Sequence, residues 1–146
     1  MSLAAIGILI IVAGLMAYVR LAPTDAAQWH IDLTHRPAAI ATPSLDVVRN
    51  LGNGAYVDLP LPPVEARTTL AKLDAIAMAT PRTMRLGGNV EDGHITWETR
   101  SLICGFPDYT TAEVTDMGLT LFARQRFGRK DAGVNAARLS DWLAKL

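Results

Sequence analysis

The sequence predicts an α+β fold: a four-stranded antiparallel sheet with two helices on one face, a two-layer sandwich, preceded by one N-terminal transmembrane helix. Three observations carry this expectation. The run Leu3 to Val19 contains no charged side chain. Four segments between Thr83 and Phe127 read as strands separated by turn residues. Stretches of helical periodicity flank them, at Val64 to Met78 and after Asn135. The expected division is an anchor over 1–22, an extended Pro-rich linker over 23–63 and the α+β domain over 64–146.

At ~1.5 Å per residue the run LAAIGILIIVAGLMAYV spans roughly 25 Å, a little less than a hydrocarbon core. Leu21 and Ala22 extend it if Arg20 snorkels to the headgroups, and Tyr18 suits the interfacial belt. A cleaved signal peptide would want a positive n-region and a small-x-small cleavage site, and neither is present. A core helix would show a polar face, and this run has none. The expectation is therefore an uncleaved single-pass anchor. Arg20, on the domain side, pulls the domain toward the cytoplasm by the positive-inside tendency.

After the anchor, Trp29, Ile31 and Leu33 alternate like a short strand within the linker. Leu51 to Gly54 reads as a turn into a short strand candidate, Ala55 to Leu59, which Pro60, Pro62 and Pro63 stop. Pro62-Pro63 prepares a helix in which Ala66, Leu70, Leu73 and Ala77 share one face, ended by Pro81. The four strands expected are Thr83–Val90, His94–Ile103, Tyr109–Thr115 and Leu119–Phe127, with Phe106-Pro107-Asp108 as an interruption. In the last, Leu119, Leu121 and Ala123 face one way and Thr120, Phe122, Arg124 and Arg126 the other. Leu139, Trp142, Leu143 and Leu146 then form one apolar stripe on a closing helix, with Asn135 as its expected N-cap. The sheet face away from the helices is left solvated, covered by the linker, or free as a binding surface.

Charge narrows the function. Lys plus Arg and Asp plus Glu are 14 each, so no basic excess exists to neutralise phosphates, which argues against nucleic acid as a partner. The single cysteine, Cys104, reads as a small half-buried strand residue, with no histidine beside it in sequence to activate a thiolate. His30 and His35 are poorly spaced for zinc. No nucleophile elbow, dinucleotide fingerprint or Walker loop appears, so neither a catalytic residue nor a cofactor is expected.

Several ordered motifs bear a resemblance. They are Thr80-Pro81-Arg82-Thr83, Glu98-Thr99-Arg100-Ser101, Gly105-Phe106-Pro107-Asp108-Tyr109 and the run Arg124 to Asn135, RQRFGRKDAGVN. In order and spacing the chain resembles the domain of unknown function 1499 family. Trp29-His30-Ile31-Asp32 and Arg36-Pro37 resemble a shorter signature at that family's N-terminal edge. Gln125 and Lys130-Asp131-Ala132-Gly133 depart from the family's usual serines and Ser-Asp-Leu-Gly loop. The resemblance implies the fold and a bacterial envelope setting, hence an extracytoplasmic domain against the pull of Arg20; it implies no reaction.

The candidate ligand-binding residues are Arg100, Arg124, Arg126, Arg129, Asp108, Asp131 and Asn135. Arg124 and Arg126 share a sheet face, Arg100 can join them, and guanidiniums so grouped grip phosphate or carboxylate. The plainer alternative pairs them with Glu98, Asp108 or Asp131 to hold strand ends. The loop Gly128 to Asn135 precedes a helix N-terminus and so favours anions, or it is a turn in which Asp131 and Asn135 satisfy free amides. Trp97 is expected in the core. Two functions stay open: a non-enzymatic, membrane-tethered module binding a membrane protein partner or anionic lipid, as an accessory subunit of a complex; or an enzyme on an anionic substrate, with Arg124, Arg126 and Arg129 binding it and Asp108 or Asp131 as acid or base.

Overall fold

The computed structural model describes residues 2–146. Helix α1 runs Leu3–Leu21, capped by the Ser2 hydroxyl, which accepts from the Ala5 N–H. Its side chains are exposed almost throughout and only Val19 is buried, so it is no core helix; its length and composition suffice to cross a membrane. A short helix α2 (Ala26–Trp29) and a 3-10 turn (Ala38–Ile40) follow. Then come β1 (Arg49–Asn50), β2 (Gly54–Leu59), α3 (Pro63–Ala79), β3 (Thr83–Asn89), β4 (His94–Arg100), β5 (Pro107–Thr115), β6 (Gly118–Gln125) and α4 (Val134–Leu143).

The sheet has six antiparallel strands in the order β1-β2-β6-β5-β4-β3, two more than expected. The added strands come from the segment assigned to the linker. There β2 pairs in register with β6 from Gly54↔Arg124 to Leu59↔Leu119. Its alternation is complete: Ala55 and Val57 join the helix-side core, while Tyr56 and Asp58 are buried on the opposite face. The strand itself is the expected candidate Ala55–Leu59, extended by Gly54; its place in the sheet was not legible, because its partner lies sixty or more residues away. Pro107 and Asp108, expected as an interruption, pair with Arg100 and Thr99 and open β5. Cys104 lies in a turn after β4, not in a strand.

Both α3 and α4 cover one face of the sheet, as expected. Leu70 and Leu73 of α3 and Leu139 and Trp142 of α4 are fully buried against Ile95, Trp97, Leu119 and Leu121. Trp97 meets Trp142 edge to face at 5.6 Å, and both indole N–H groups are satisfied, on Asp74 (2.9 Å) and Thr80 (3.0 Å).

The other face is covered by residues 23–48, which we call the strap. Leu33 and Ile40 pack with Tyr56 and Phe122 in a second, smaller core. The alternation Trp29, Ile31, Leu33 is not a strand: Asp25 caps α2 through the Ala27 N–H, and Trp29 ends that helix. Near its end the strap bonds backbone to backbone with β2, the Asp46 N–H on the Asp58 carbonyl and the Asp58 N–H on that of Ser44, both at 2.9 Å; further up, side chains from the sheet satisfy its backbone. Glu113 accepts the Leu33 N–H at 2.6 Å, and Arg124 donates to the Trp29 carbonyl at 2.8 Å.

Candidate functional site

Under the strap, Arg124 projects from β6 and is largely buried, with no carboxylate partner among the described residues. Its Nη2 donates to the Trp29 carbonyl and to the Thr111 hydroxyl at 3.1 Å, and its guanidinium lies 5.5 Å from the Trp29 ring centroid and 5.0 Å from that of Phe122. Burial alone pulls its pKa down to about 10. Trp29 also stacks on Tyr109 at 4.2 Å, whose hydroxyl shares Thr24 with the Glu98 carboxylate. Beside this group His30 stacks on His94, centroids 3.8 Å apart. Burial pushes both imidazoles below their ordinary pKa, and for His30 the neighbouring His94 adds to it. His94 Nε2 also lies 3.0 Å from the Ile31 carbonyl and 3.7 Å from the Glu113 carboxylate, which burial raises.

A second constellation lies where α1 meets the domain. Arg20, in the last turn of α1, donates from Nη2 to the Ile103 carbonyl at 2.7 Å. Arg100 donates to the Gly105 carbonyl at 3.2 Å and to the Arg20 carbonyl at 3.4 Å, while its Nε engages the buried Glu98. Arg82 and Arg100 are tied reciprocally: the Arg100 N–H donates to the Arg82 carbonyl, and Arg82 Nε donates to that of Arg100, both at 3.0 Å. Arg20, Arg82, Arg100 and Glu98 line a cavity of about 460 Å³, whose lip includes Met84 and Leu102. Gly105, at φ 73°, makes room for this: a Cβ there would stand 2.8 Å from Arg20 Cγ. We call this end of the domain the foot. Its loops expose Leu102 (70%), Ile103 (73%) and Phe106, and Tyr18 of α1 meets Phe127 edge-on at 6.5 Å.

A third group is a network at the start of α4. Asp131 accepts the Gly133 and Asn135 N–H groups at 2.9 and 3.1 Å and the Asn135 side-chain amide at 2.8 Å. Asn135 is therefore not the N-cap; it sits inside the first turn, and Asp131 satisfies the free amides from outside. Arg138 bridges Asn135 (2.6 Å) to Asp108 (3.0 Å). A cavity of about 410 Å³ adjoins this network, lined by Asp108, Asp131, Gln125 and Lys130 among others.

The seven candidate residues thus fall into separate places. Arg100 is in the foot cavity and Arg124 under the strap. Arg126 lies between, Nη1 3.5 Å from the Tyr109 hydroxyl and its guanidinium over Phe127 at 5.0 Å. Arg129 is exposed on the loop after β6, while Asp108, Asp131 and Asn135 share the α4 network. Of the carboxylate partners weighed for the arginines, Glu98 takes Arg100; Asp108 instead takes Arg138.

A family model described as "Protein of unknown function (DUF1499)" matches residues 33–146. The chain belongs to the DUF1499 family. The DUF1499 match begins at Leu33, so the Trp29-His30-Ile31-Asp32 stretch and α1 lie outside it. It takes in Arg82, Arg100, Arg124 and the Asp131 network, but not Arg20, Trp29 or His30, which approach the DUF1499 region from the preceding segment. No curated protein and no solved structure gives a significant match. Sequence reasoning passed over Arg20, read only as a flanking charge, and Arg82, noted only within the Thr80-Pro81-Arg82-Thr83 motif. A signal for Arg82 was the proline before it, which marks a turn.

Proposed function

We propose that the protein is a membrane-tethered, non-enzymatic module, anchored by α1, whose foot is seated on the bilayer and engages anionic lipid. The observation that carries this reading is the docking of the end of α1 onto the foot through Arg20 and Ile103. Val19 and Ala22 are buried, so the apolar helix passes into the domain with no free tether between them. A bilayer around α1 then meets the foot at headgroup level. There the exposed side chains are of the kinds that settle in an interface: apolar Leu102, Ile103 and Phe106, aromatic Tyr18, and cationic Arg129 and Lys130. An extracytoplasmic placement of the domain remains part of this reading and rests on the family resemblance.

The enzyme reading has less support. It needs Arg124, Arg126 and Arg129 around one substrate with Asp108 or Asp131 as acid or base. Arg124 is enclosed by Trp29 and Phe122, and both carboxylates are engaged in the α4 network.

The single cysteine lies in the foot, next to Ile103, and offers a direct test. The full chain carrying a fluorophore on Cys104 is reconstituted in nanodiscs containing headgroup spin-labelled lipid. Strong quenching is expected, deeper with phosphatidylglycerol than with phosphatidylcholine alone. A Cys104 probe that stays unquenched, or a chain released from native membranes by alkaline carbonate, would sink the proposal. A stoichiometric protein co-purifying in place of lipid would make it a subunit of a complex instead.

A further inference from the structure

We infer that the foot cavity between Arg20, Arg82 and Arg100 is a discrete site for the phosphate of one anionic phospholipid, whose acyl chains leave over Met84 and Leu102 toward the bilayer. This rests on the membrane-seated reading above and adds a stoichiometric site to it.

Each of the three guanidiniums spends only part of its donor set on the protein. Arg82 uses Nε on the Arg100 carbonyl, Arg20 uses Nη2 on Ile103, and Arg100 uses Nε and Nη1. Both Nη groups of Arg82, Nε and Nη1 of Arg20 and Nη2 of Arg100 have no protein partner among the described residues. Planar guanidiniums pre-held by one edge match phosphate oxygens with the other, at small entropic cost. The one carboxylate in the lining, Glu98, faces Arg100, so the wall carries a net charge of two positives against one phosphate.

The backbone is shaped to put these groups there. Arg82 adopts φ 59°, the left-handed region that a non-glycine side chain uncommonly occupies, and Gly105 leaves the space that Arg20 crosses. An anion site buried in the domain would suit a soluble ligand. This one instead opens beside the end of the apolar helix, with Met84 and Leu102 at its lip, both exposed. A polar cradle with an apolar exit is the shape of a headgroup and chain, which commits the occupant to a lipid rather than to free phosphate.

The test uses the full chain in mild detergent, with bound lipid counted by native mass spectrometry during titration with phosphatidylglycerol, phosphatidylcholine or inorganic phosphate. The expected result is one phosphatidylglycerol per chain, with phosphatidylcholine and inorganic phosphate each at least tenfold weaker. Arg82→Asn removes the guanidinium while keeping a residue that tolerates φ > 0, and should weaken the lipid about tenfold or more. Arg20→Gln serves as a second variant should Arg82→Asn unfold. Lys72→Gln, on the exposed side of α3 and outside the cavity, should change nothing. Equal losses in Arg82→Asn and Lys72→Gln would overturn the discrete site, as would phosphatidylcholine binding as well as phosphatidylglycerol. Tighter binding of inorganic phosphate would overturn the lipid assignment. Quenching at Cys104 that persists in Arg82→Asn would show the seating intact while the site fails, so the two readings stand or fall separately.

Discussion

Arg36 of the strap closes a two-pronged ion pair on Asp58 of β2, Nη1 to Oδ1 at 2.8 Å and Nη2 to Oδ2 at 3.0 Å, with Asp58 completely buried. The same carboxylate accepts the Ser44 N–H and the Thr120 hydroxyl, both at 2.8 Å, so one side chain joins strap, β2 and β6. Burial works to raise the Asp58 pKa, but Arg36 and the two further donors outweigh it and hold the carboxyl below its ordinary value.

Asp58→Ala should therefore loosen the strap from the sheet. Removing one partner of a buried pair leaves the other uncompensated, and because Arg36 retains some access to water we expect a cost of about 3 kcal/mol, the low end for such losses. Urea unfolding measures it, and limited proteolysis should show new cleavage between Arg36 and Val48. A loss below about 1 kcal/mol would mean the pair does not hold the strap.

Trp29 is the second fastening. It shields Arg124, which has no counter-ion among the described residues, and stacks on Tyr109. Trp29→Ala should cost about 2 kcal/mol from the lost cation–π and aromatic contacts together. Trp29→Phe, which keeps a ring, should recover at least half of it. Equal melting temperatures for the two variants would remove the aromatic argument.

The stacked His30–His94 pair predicts an acid-sensitive strap. Both imidazoles have lowered folded pKa values, so the unfolded chain binds more protons below the ordinary value of 6.5. The stability they contribute is fully present above pH 6.5 and is lost as pH falls from there through their folded values. Glu113, whose pKa is raised by burial, works in the opposite sense over a window just above 4.5. The melting temperature should thus fall between pH 7.5 and 5.5, and fall less in His94→Asn. The same drop in the variant would place the sensitivity elsewhere.

Asp131 begins α4 without being its N-cap residue. Asp131→Ala frees the Gly133 and Asn135 N–H groups and the Asn135 amide, and should cost about 1–2 kcal/mol. Asp131→Asn keeps an acceptor oxygen and should cost less. Hydrogen exchange of the Asn135 amide reports the loss directly.

Local pattern accounts for what was legible in the chain. The uncharged run of α1, the i, i+3, i+4 stripes of α3 and α4, and the alternation of β6 each express burial through neighbours a few residues away. The family followed from short runs of adjacent residues, and the sharing of one face by Arg124 and Arg126 from strand period alone. Tertiary structure decided the rest, because it depends on pairings between residues distant in sequence. The strand legible at Ala55–Leu59 found its place in the sheet through the register that β6 offered it, and the strap became a layer because Glu113, Arg124 and Asp58 supplied hydrogen bonds and counter-charge that its backbone and Arg36 needed. Arg20, Arg82 and Arg100 are likewise far apart along the chain, and it is the return of β4 beside β3, at the end where α1 enters, that brings three positive charges to one cavity.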